Sequence, residues 1–307
     1  MDIRLEIIAN TTEFQLNSET AVAIGKFDGV HLGHRRLLQE ILEQKKNGLK
    51  ACVFTFAPTP AVLFGLSDGK ELTTKEEKRR IFSQMGVDIL IEFPLNRETA
   101  AISPEDFVTD ILVSRMQTKF LAAGTDLSFG KNGAGNAALL GKMGPEYGFE
   151  VKTIDKISLE GIVVSSTHIR NLIEAGRMEQ ATAMLGMPYV IQGKVVHGNR
   201  IGRTLGFPTV NLVPAQDKLL PPNGVYYSEV RIGVKNYRAI TNIGYKPTVT
   251  AEKVMGVESY LYDFSEEIYD EEIEVYLYKF KRPEMQFDGL EALQKQLQRD
   301  IAEGKNI

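Results

Sequence analysis

Residues 21–42, AVAIGKFDGVHLGHRRLLQEIL, set the architecture of the first half of the chain. The apolar run AVAIG ends in glycine, a turn carries Gly29, and Leu37, Leu38, Ile41 and Leu42 then fall on one helical face. A second apolar run, ACVFTF at 51–56, follows that stretch. Continuous apolar runs on either side of an amphipathic helix read as one βαβ unit with buried parallel strands. VDILIEF (87–93), KFLAAGTD (119–126) and EVKTID (150–155) repeat the pattern, separated by helical stretches. The alternation predicts a doubly wound α/β sheet, which binds ligands at the carboxyl ends of its strands. A helical segment closes this half: SSTHIRNLIEAGRMEQATAMLG, 165–186, with serine available as N-cap and a break near Gly176.

Beyond residue 186 the periodicity shortens. YVIQGKVVHG, GVYYSEVRIG, KNYRAITNIG, ESYLYDF and EEIEVYLYKFKR are rich in valine, isoleucine and tyrosine and are bounded by glycine or proline turns. Short strands in series without intervening helices predict an antiparallel barrel or sandwich. One last helix is expected over FDGLEALQKQLQRD, 287–300, with Asp288 and Glu291 as a capping box. A length of 307 residues suits two domains, 1–186 and 187–307, divided near LGMPY.

The bulk properties exclude several classes. A formal charge of −4 leaves no broad basic face for nucleic acid. The opening MDIRLEIIAN lacks the basic-then-apolar order of a signal peptide, and no apolar run approaches membrane-spanning length. The lone cysteine, Cys52, sits in an apolar run and reads as a small buried hydrophobe. A cytoplasmic protein with small-molecule partners is expected.

His31 and His34 take two of the chain's four histidines. Paired histidines on a zinc-binding helix stand four apart with an acidic ligand close by, whereas these stand three apart around Gly33. The one stretch with Gly-x-Ser-x-Gly spacing, GLSDG at 65–69, runs on into polar DGKE rather than an amphipathic helix, so it does not read as a nucleophile elbow. The remaining reading is a helix N-terminus offering free amides and imidazole donors to phosphate, with simple capping as the plain alternative. VVSSTHIR, 163–170, adds hydroxyls at Ser165, Ser166 and Thr167 and a guanidinium at Arg170, again at a helix start. GKNGAGN, 130–136, lacks the serine or threonine of a phosphate loop and reads as a mobile loop. His168 is expected on a helix surface, and His197 in a structural role.

GKFDGVHLGH and SSTHIR together resemble the two signatures of the nucleotidyltransferases that carry a His-x-Gly-His pattern. GKVVHGNRIGRTLGFPTVNL, 193–212, resembles the nucleotide-binding signature of riboflavin kinases. In this order the strings resemble the bacterial bifunctional riboflavin kinase/FAD synthetase family over nearly the whole chain. The resemblance implies a Rossmann-like adenylyltransferase domain, then an antiparallel β-barrel kinase domain with a C-terminal helix. It implies ATP and Mg²⁺ at both sites, with riboflavin, FMN and FAD as substrates and products.

For adenylyl transfer to FMN, the resemblance implies catalytic His31, His34 and Arg170. Gly25, Phe27, Asp28, Gly33, Ser166 and Thr167 would bind nucleotide, and Asp126 would lie near both nucleotide and flavin. For phosphorylation of riboflavin it implies nucleotide binding by Gly202, Gly206 and Thr209, and Mg²⁺ on Thr209 and Asn211. Glu258 would be the general base, and Asn242 and Arg282 would contact flavin; Thr248 also follows the pattern. The absence of Gly-x-x-x-x-Gly-Lys-Ser/Thr agrees with a kinase of this kind rather than a P-loop enzyme. The chain departs from the family at Thr59, Leu127 and Ser128, at Tyr260, where histidine is usual, and at Asp270, where glycine is usual. Two other readings remain: adenylylation alone beside an inactive kinase-like domain, and a non-enzymatic flavin-binding regulator.

Overall fold

The run Ala21–Ile24 is buried along its whole length in strand β2 (Thr20–Ile24). In the computed structural model, which describes residues 5–198, 206–247 and 253–305, β2 lies inside a six-stranded sheet. The other strands are β1 (Glu6–Ala9), β3 (Lys50–Ala57), β4 (Ile89–Pro94), β5 (Thr118–Gly124) and β6 (Glu150–Ile154). The order is β1-β4-β3-β2-β5-β6, and every neighbouring pair is parallel. Helices α1 (Leu32–Glu43), α2 (Lys75–Met85) and α3 (Ala137–Tyr147) occur in the connections. A π-helical stretch, Phe107–Arg115, precedes β5. Val22, Ile24, Cys52, Phe54, Ile91 and Leu121 share one core. Cys52 is fully buried there, and burial pushes its thiol pKa up, which suits an inert hydrophobe.

The segment GKNGAGN has a defined local conformation. It forms a 3₁₀ turn, a short ladder with Ser128–Phe129, and the Asn136 N-cap of α3. A Cβ at Gly130 would lie 2.8 Å from Pro104, and one at Gly135 2.6 Å from the Phe129 ring. These glycines are required by packing rather than by freedom of motion.

Inter-residue contacts divide the chain into units Met1–Ser166 and Thr167–Ile307. Helix α4 (Ser166–Glu174) therefore begins at the division, and α5 (Met178–Leu185), capped by left-handed Gly186, packs on the barrel strands that follow. Those strands are β7 (Tyr189–Val196), β8 (Thr209–Leu212), β9 (Gly224–Ile232), β10 (Lys235–Pro247), β11 (Lys253–Leu261) and β12 (Glu272–Pro283). They close antiparallel in the order β7-β8-β11-β10-β9-β12, with β7 paired to β12. Alternation buries Tyr226, Val230, Ile243, Val257 and Leu261 inside. Ser228, Thr241 and Ser259 satisfy one another there through hydroxyl contacts of 2.8 and 2.7 Å.

Helix α6 (Leu290–Gly304) covers part of the outer face, where Ile301 meets Val225, Tyr227, Ile240 and Tyr262. Its expected capping box does not form. The helix begins at Leu290 and the cap position is Gly289, at φ 131, with no side-chain cap bond. Asp288 thus stands one residue too early to cap.

Candidate functional site

The first site hangs from the carboxyl end of β2. Phe27 (φ 51), Gly29 (φ 87) and Val30 (φ 41) all take positive φ. For a β-branched valine this is a strained backbone, of the kind that costs about 1–3 kcal/mol and persists only where its surroundings enforce it. Phe27 and Val30 are both fully buried, and Phe27 packs edge-on against Phe82 of α2. Asp28 Oδ1 accepts the Leu72 amide at 2.7 Å, and Thr73 Oγ1 accepts the Gly29 amide at 3.0 Å. The Asp28 carbonyl accepts the Ser166 hydroxyl at 2.8 Å. The loop is thereby held from three directions.

This loop delivers the histidines. His31 is the N-cap of α1, its Nδ1 accepting the His34 amide at 3.4 Å. The two imidazoles stack with centroids 3.7 Å apart, and Phe27 backs His34 at 5.1 Å. A Cβ at Gly33 would sit 3.1 Å from the His31 ring. At Gly25 it would sit 3.2 Å from the Phe27 ring. Burial lowers the His31 pKa to about 4 against the opposing charges of Asp28 and Asp126. Burial also holds His34 well below the ordinary range, helped by His31 and Lys78. Both rings are therefore neutral near pH 7, and each presents one N–H donor and one acceptor. Asp126 is exposed and pairs with Lys156 at 3.0 Å. Thr167 and Arg170 follow Ser166 on α4.

In the second unit the expected residues fall in one transverse row. Arg282 stands opposite Val225, Val225 opposite Asn242, Asn242 opposite Glu258, and Glu258 opposite Asn211. Alternation with the inward-facing Val257 and Ser259 puts this row on the outer face of the barrel. Thr209 Oγ1 donates to Glu258 Oε1 at 2.5 Å. A Cβ at Gly198 would lie 2.6 Å from the Asn211 amide, so the chain passes closely over Asn211. A cavity of about 220 Å³ is lined by Thr209 and Asn211 and also by Phe264 and Tyr269. The Thr209 hydroxyl and the Asn211 amide oxygen on its lining, with the Glu258 carboxylate bonded to Thr209, are hard donors that fit Mg²⁺. Gly206 is left-handed at φ 87. Gly202 and Thr248 lie outside the described residues.

Two of the departures from the family pattern, both in the second unit, have a physical setting. Asp270 adopts φ 68, the conformation a glycine takes freely, and is held by its amide bond to Val195 O at 3.0 Å and by Lys194 at 3.1 Å. Tyr260 shares the outer face with Glu258 and Tyr262, as alternation predicts, and sits edge-on to Tyr262 at 5.5 Å and Phe207 at 6.0 Å. His197 stacks on Tyr269 at 3.9 Å.

Arg282 is engaged within the protein. It donates from Nη2 and Nε to Asp300 Oδ2 at 2.6 and 3.2 Å. Burial alone would raise the Asp300 pKa, but the Arg282 and Gln296 hydrogen bonds hold it below the usual carboxylate value. Sequence reasoning missed both this carboxylate and Thr73. For Thr73 a signal was present: the adjoining Thr74 and Glu77 form a capping box that starts α2 and fixes where residue 73 stands.

A family model described as FAD synthetase matches residues 13–168, and one described as riboflavin kinase matches 185–307. Proteins described as bifunctional riboflavin kinase/FMN adenylyltransferase are similar along almost the full length. The Listeria monocytogenes protein is 37% identical, covering 94% of this chain and 93% of its own. The Escherichia coli K12 protein is 39% identical, covering 91% and 90%. The Bacillus subtilis protein is 33% identical, covering 93% and 92%. A crystal structure from Streptococcus pneumoniae titled as a macrolide-efflux protein superposes with a TM-score of 0.85 at 29% identity, covering 99% of both chains. Among the described residues of this chain, no helix is long and apolar enough to cross a membrane.

Proposed function

This chain belongs to the bifunctional riboflavin kinase/FMN adenylyltransferase family, and from that premise we propose that it phosphorylates riboflavin to FMN and adenylylates FMN to FAD. One observation carries the proposal. A buried, stacked histidine pair at a helix N-terminus shares the chain with a Thr209–Glu258–Asn211 cluster on a barrel face. Residues 1–186 are assigned to adenylylation and 187–307 to phosphorylation; the matched spans, 13–168 and 185–307, support two parts in this order.

In adenylylation an FMN phosphate oxygen attacks the α-phosphorus of ATP, and the bond to the β-phosphate oxygen breaks to release pyrophosphate. Reactions of this type need in-line positioning and charge stabilisation rather than covalent help. Neutral His31 and His34 donate N–H groups to triphosphate oxygens as charge moves onto the leaving group. The α1 dipole adds to this, and Ser166, Thr167 and Arg170 hold the outer phosphates, with Gly25, Phe27, Asp28 and Gly33 shaping the cradle. Asp126 lies where nucleotide and flavin meet.

In phosphorylation Glu258 takes the proton of the ribityl 5′-hydroxyl, whose oxygen attacks the γ-phosphorus of ATP as ADP departs. Thr209 and Asn211 would hold Mg²⁺, which neutralises phosphate charge when bound. Gly206 and Gly202 let the backbone approach the phosphates, and Asn242 orients the flavin alcohol. Dependence on ATP and a single unpaired cysteine favour a cytoplasmic setting.

Incubation with ATP, Mg²⁺ and either riboflavin or FMN, followed by flavin chromatography, tests the proposal. FMN from riboflavin and FAD from FMN are expected. FAD without FMN from riboflavin would reduce the protein to an adenylyltransferase. Neither product would leave a flavin-binding regulator.

A further inference from the structure

The C-terminal helix is latched to the barrel by one buried carboxylate. The Asp300 side chain is 1% exposed and gathers Arg282 Nη2 at 2.6 Å, Gln296 Nε2 at 2.9 Å and Lys281 Nζ at 3.3 Å. Lys281 also donates to Tyr227 at 3.2 Å, and Tyr262 donates to the Ile301 carbonyl at 2.7 Å. At Gly304 the helix backbone comes so close that a Cβ would lie 2.5 Å from the Tyr262 hydroxyl. A carboxylate removed from water and matched by a guanidinium fork is a strong, directional contact.

Two features tie this latch to the phosphorylation site. Arg282 begins the transverse row that continues through Val225 and Asn242 to Glu258. The chain just after Arg282 also folds back over β10: a Cβ at Gly244, two residues beyond Asn242, would lie 1.9 Å from Glu284 Oε1. All three guanidinium nitrogens donate within the protein, Nη1 to the Pro283 carbonyl at 3.0 Å and the others to Asp300. The ordering of helix and turn is therefore centred on Arg282, each of whose three nitrogens already makes a bond within the protein.

Resting on the phosphorylation reading above, we infer that Arg282 is a positioning residue. Through Asp300 it fixes α6 and the Pro283–Glu284 turn as the wall of the riboflavin subsite beside Asn242 and Glu258, without itself touching the flavin.

The test compares wild type, Asp300→Asn, Arg282→Gln, Arg282→Lys and the Asp300→Asn/Arg282→Gln double variant. Riboflavin Kd is read by quenching of flavin fluorescence, phosphorylation by KM and kcat, and FMN adenylylation in the same preparation. Each single neutral variant should raise riboflavin Kd and KM by about tenfold, the scale of one charge-assisted hydrogen bond, with kcat much less affected. The double variant should be no worse than either single one, since both cut the same link. Arg282→Lys should fall between wild type and Arg282→Gln, and adenylylation should not change. A rise in Kd for Arg282→Gln but not for Asp300→Asn would overturn the inference and make Arg282 a flavin contact. Unchanged Kd in both would also overturn it, leaving the pair as a helix anchor alone. Should Asp300→Asn fail to fold, Gln296→Ala decides: a modest rise in Kd at unchanged melting temperature supports the latch, and no rise overturns it. Wild-type chain that binds riboflavin but forms no FMN would defeat the phosphorylation reading alone, because the Kd measurements still judge the latch.

Discussion

The loop at residues 25–34 and the outer face of the barrel solve the same problem, holding polar groups for phosphate chemistry, by opposite means. The loop is one contiguous string. It stores backbone strain at Phe27 and Val30 and relies on buried aromatic and carboxylate contacts to keep it. The barrel face is assembled from residues on separate strands, and ladder register alone aligns Asn211, Glu258 and Asn242. A strained string should fail through its local ties, whereas an unstrained row should fail through its chemical group and its outer wall.

The sharpest way to break this contrast is to cross the two activities. Glu258→Ala should cut riboflavin phosphorylation by about 10²–10⁴-fold, the usual worth of a general base, and leave FMN adenylylation intact in a chromatographic assay. His31→Ala or His34→Ala should do the reverse, lowering adenylylation by about 10²–10³-fold per lost donor while phosphorylation persists. Loss of both activities in any of these variants, with the fold intact, would end the claim of two separate sites.

A smaller effect probes the local ties. Asp28→Ala removes the acceptor of the Leu72 amide, which the structure places at 2.7 Å, and should destabilise the chain by about 1–3 kcal/mol in urea titrations. Adenylylation should decline along with that stability, and phosphorylation should not. A further effect, of similar size, is on pH. His31 titrates near 6.5 when unfolded but only near 4 when folded, so below pH 6.5 the unfolded chain takes up a proton that the folded chain refuses. This contribution to stability is complete above that pH and drains away as pH falls toward 4. Urea midpoints compared at about pH 7 and about pH 5 should fall more in wild type than in His31→Asn, which keeps the cap but does not titrate.

The same contrast explains what could be read in the sequence. The parallel sheet was visible because buried parallel strands are apolar throughout, as in β2. The histidine string was visible because it is contiguous. The ties that make it work were not: Asp28 meets residues 72 and 73, and Ser166 reaches back across 138 positions. On the barrel, the strands followed from alternation, but the alignment of Arg282 with Asn242 needed the register of two ladders. One local reading failed: the helix expected to cap at Asp288 and Glu291 begins at Leu290, with Gly289 at the cap position. GKNGAGN packs against Pro104, a contact that its own residues do not announce. At Asp270 the sequence showed only a departure from glycine; the left-handed backbone, and the lysine and amide that steady an aspartate there, emerged from the fold.

Closure of the barrel through β7 and β12 has a consequence for how the chain comes into being. Tyr189–Lys194 find their partners only in Glu272–Leu277, so the first barrel strand has an unmatched edge until the last has been synthesised. Pairing across so long a stretch is slow, and an open edge invites association with other chains. On the ribosome, the parallel sheet can form while the barrel is still waiting for its final strand, so the adenylylating half matures first and nascent barrels are the stage most exposed to misassembly.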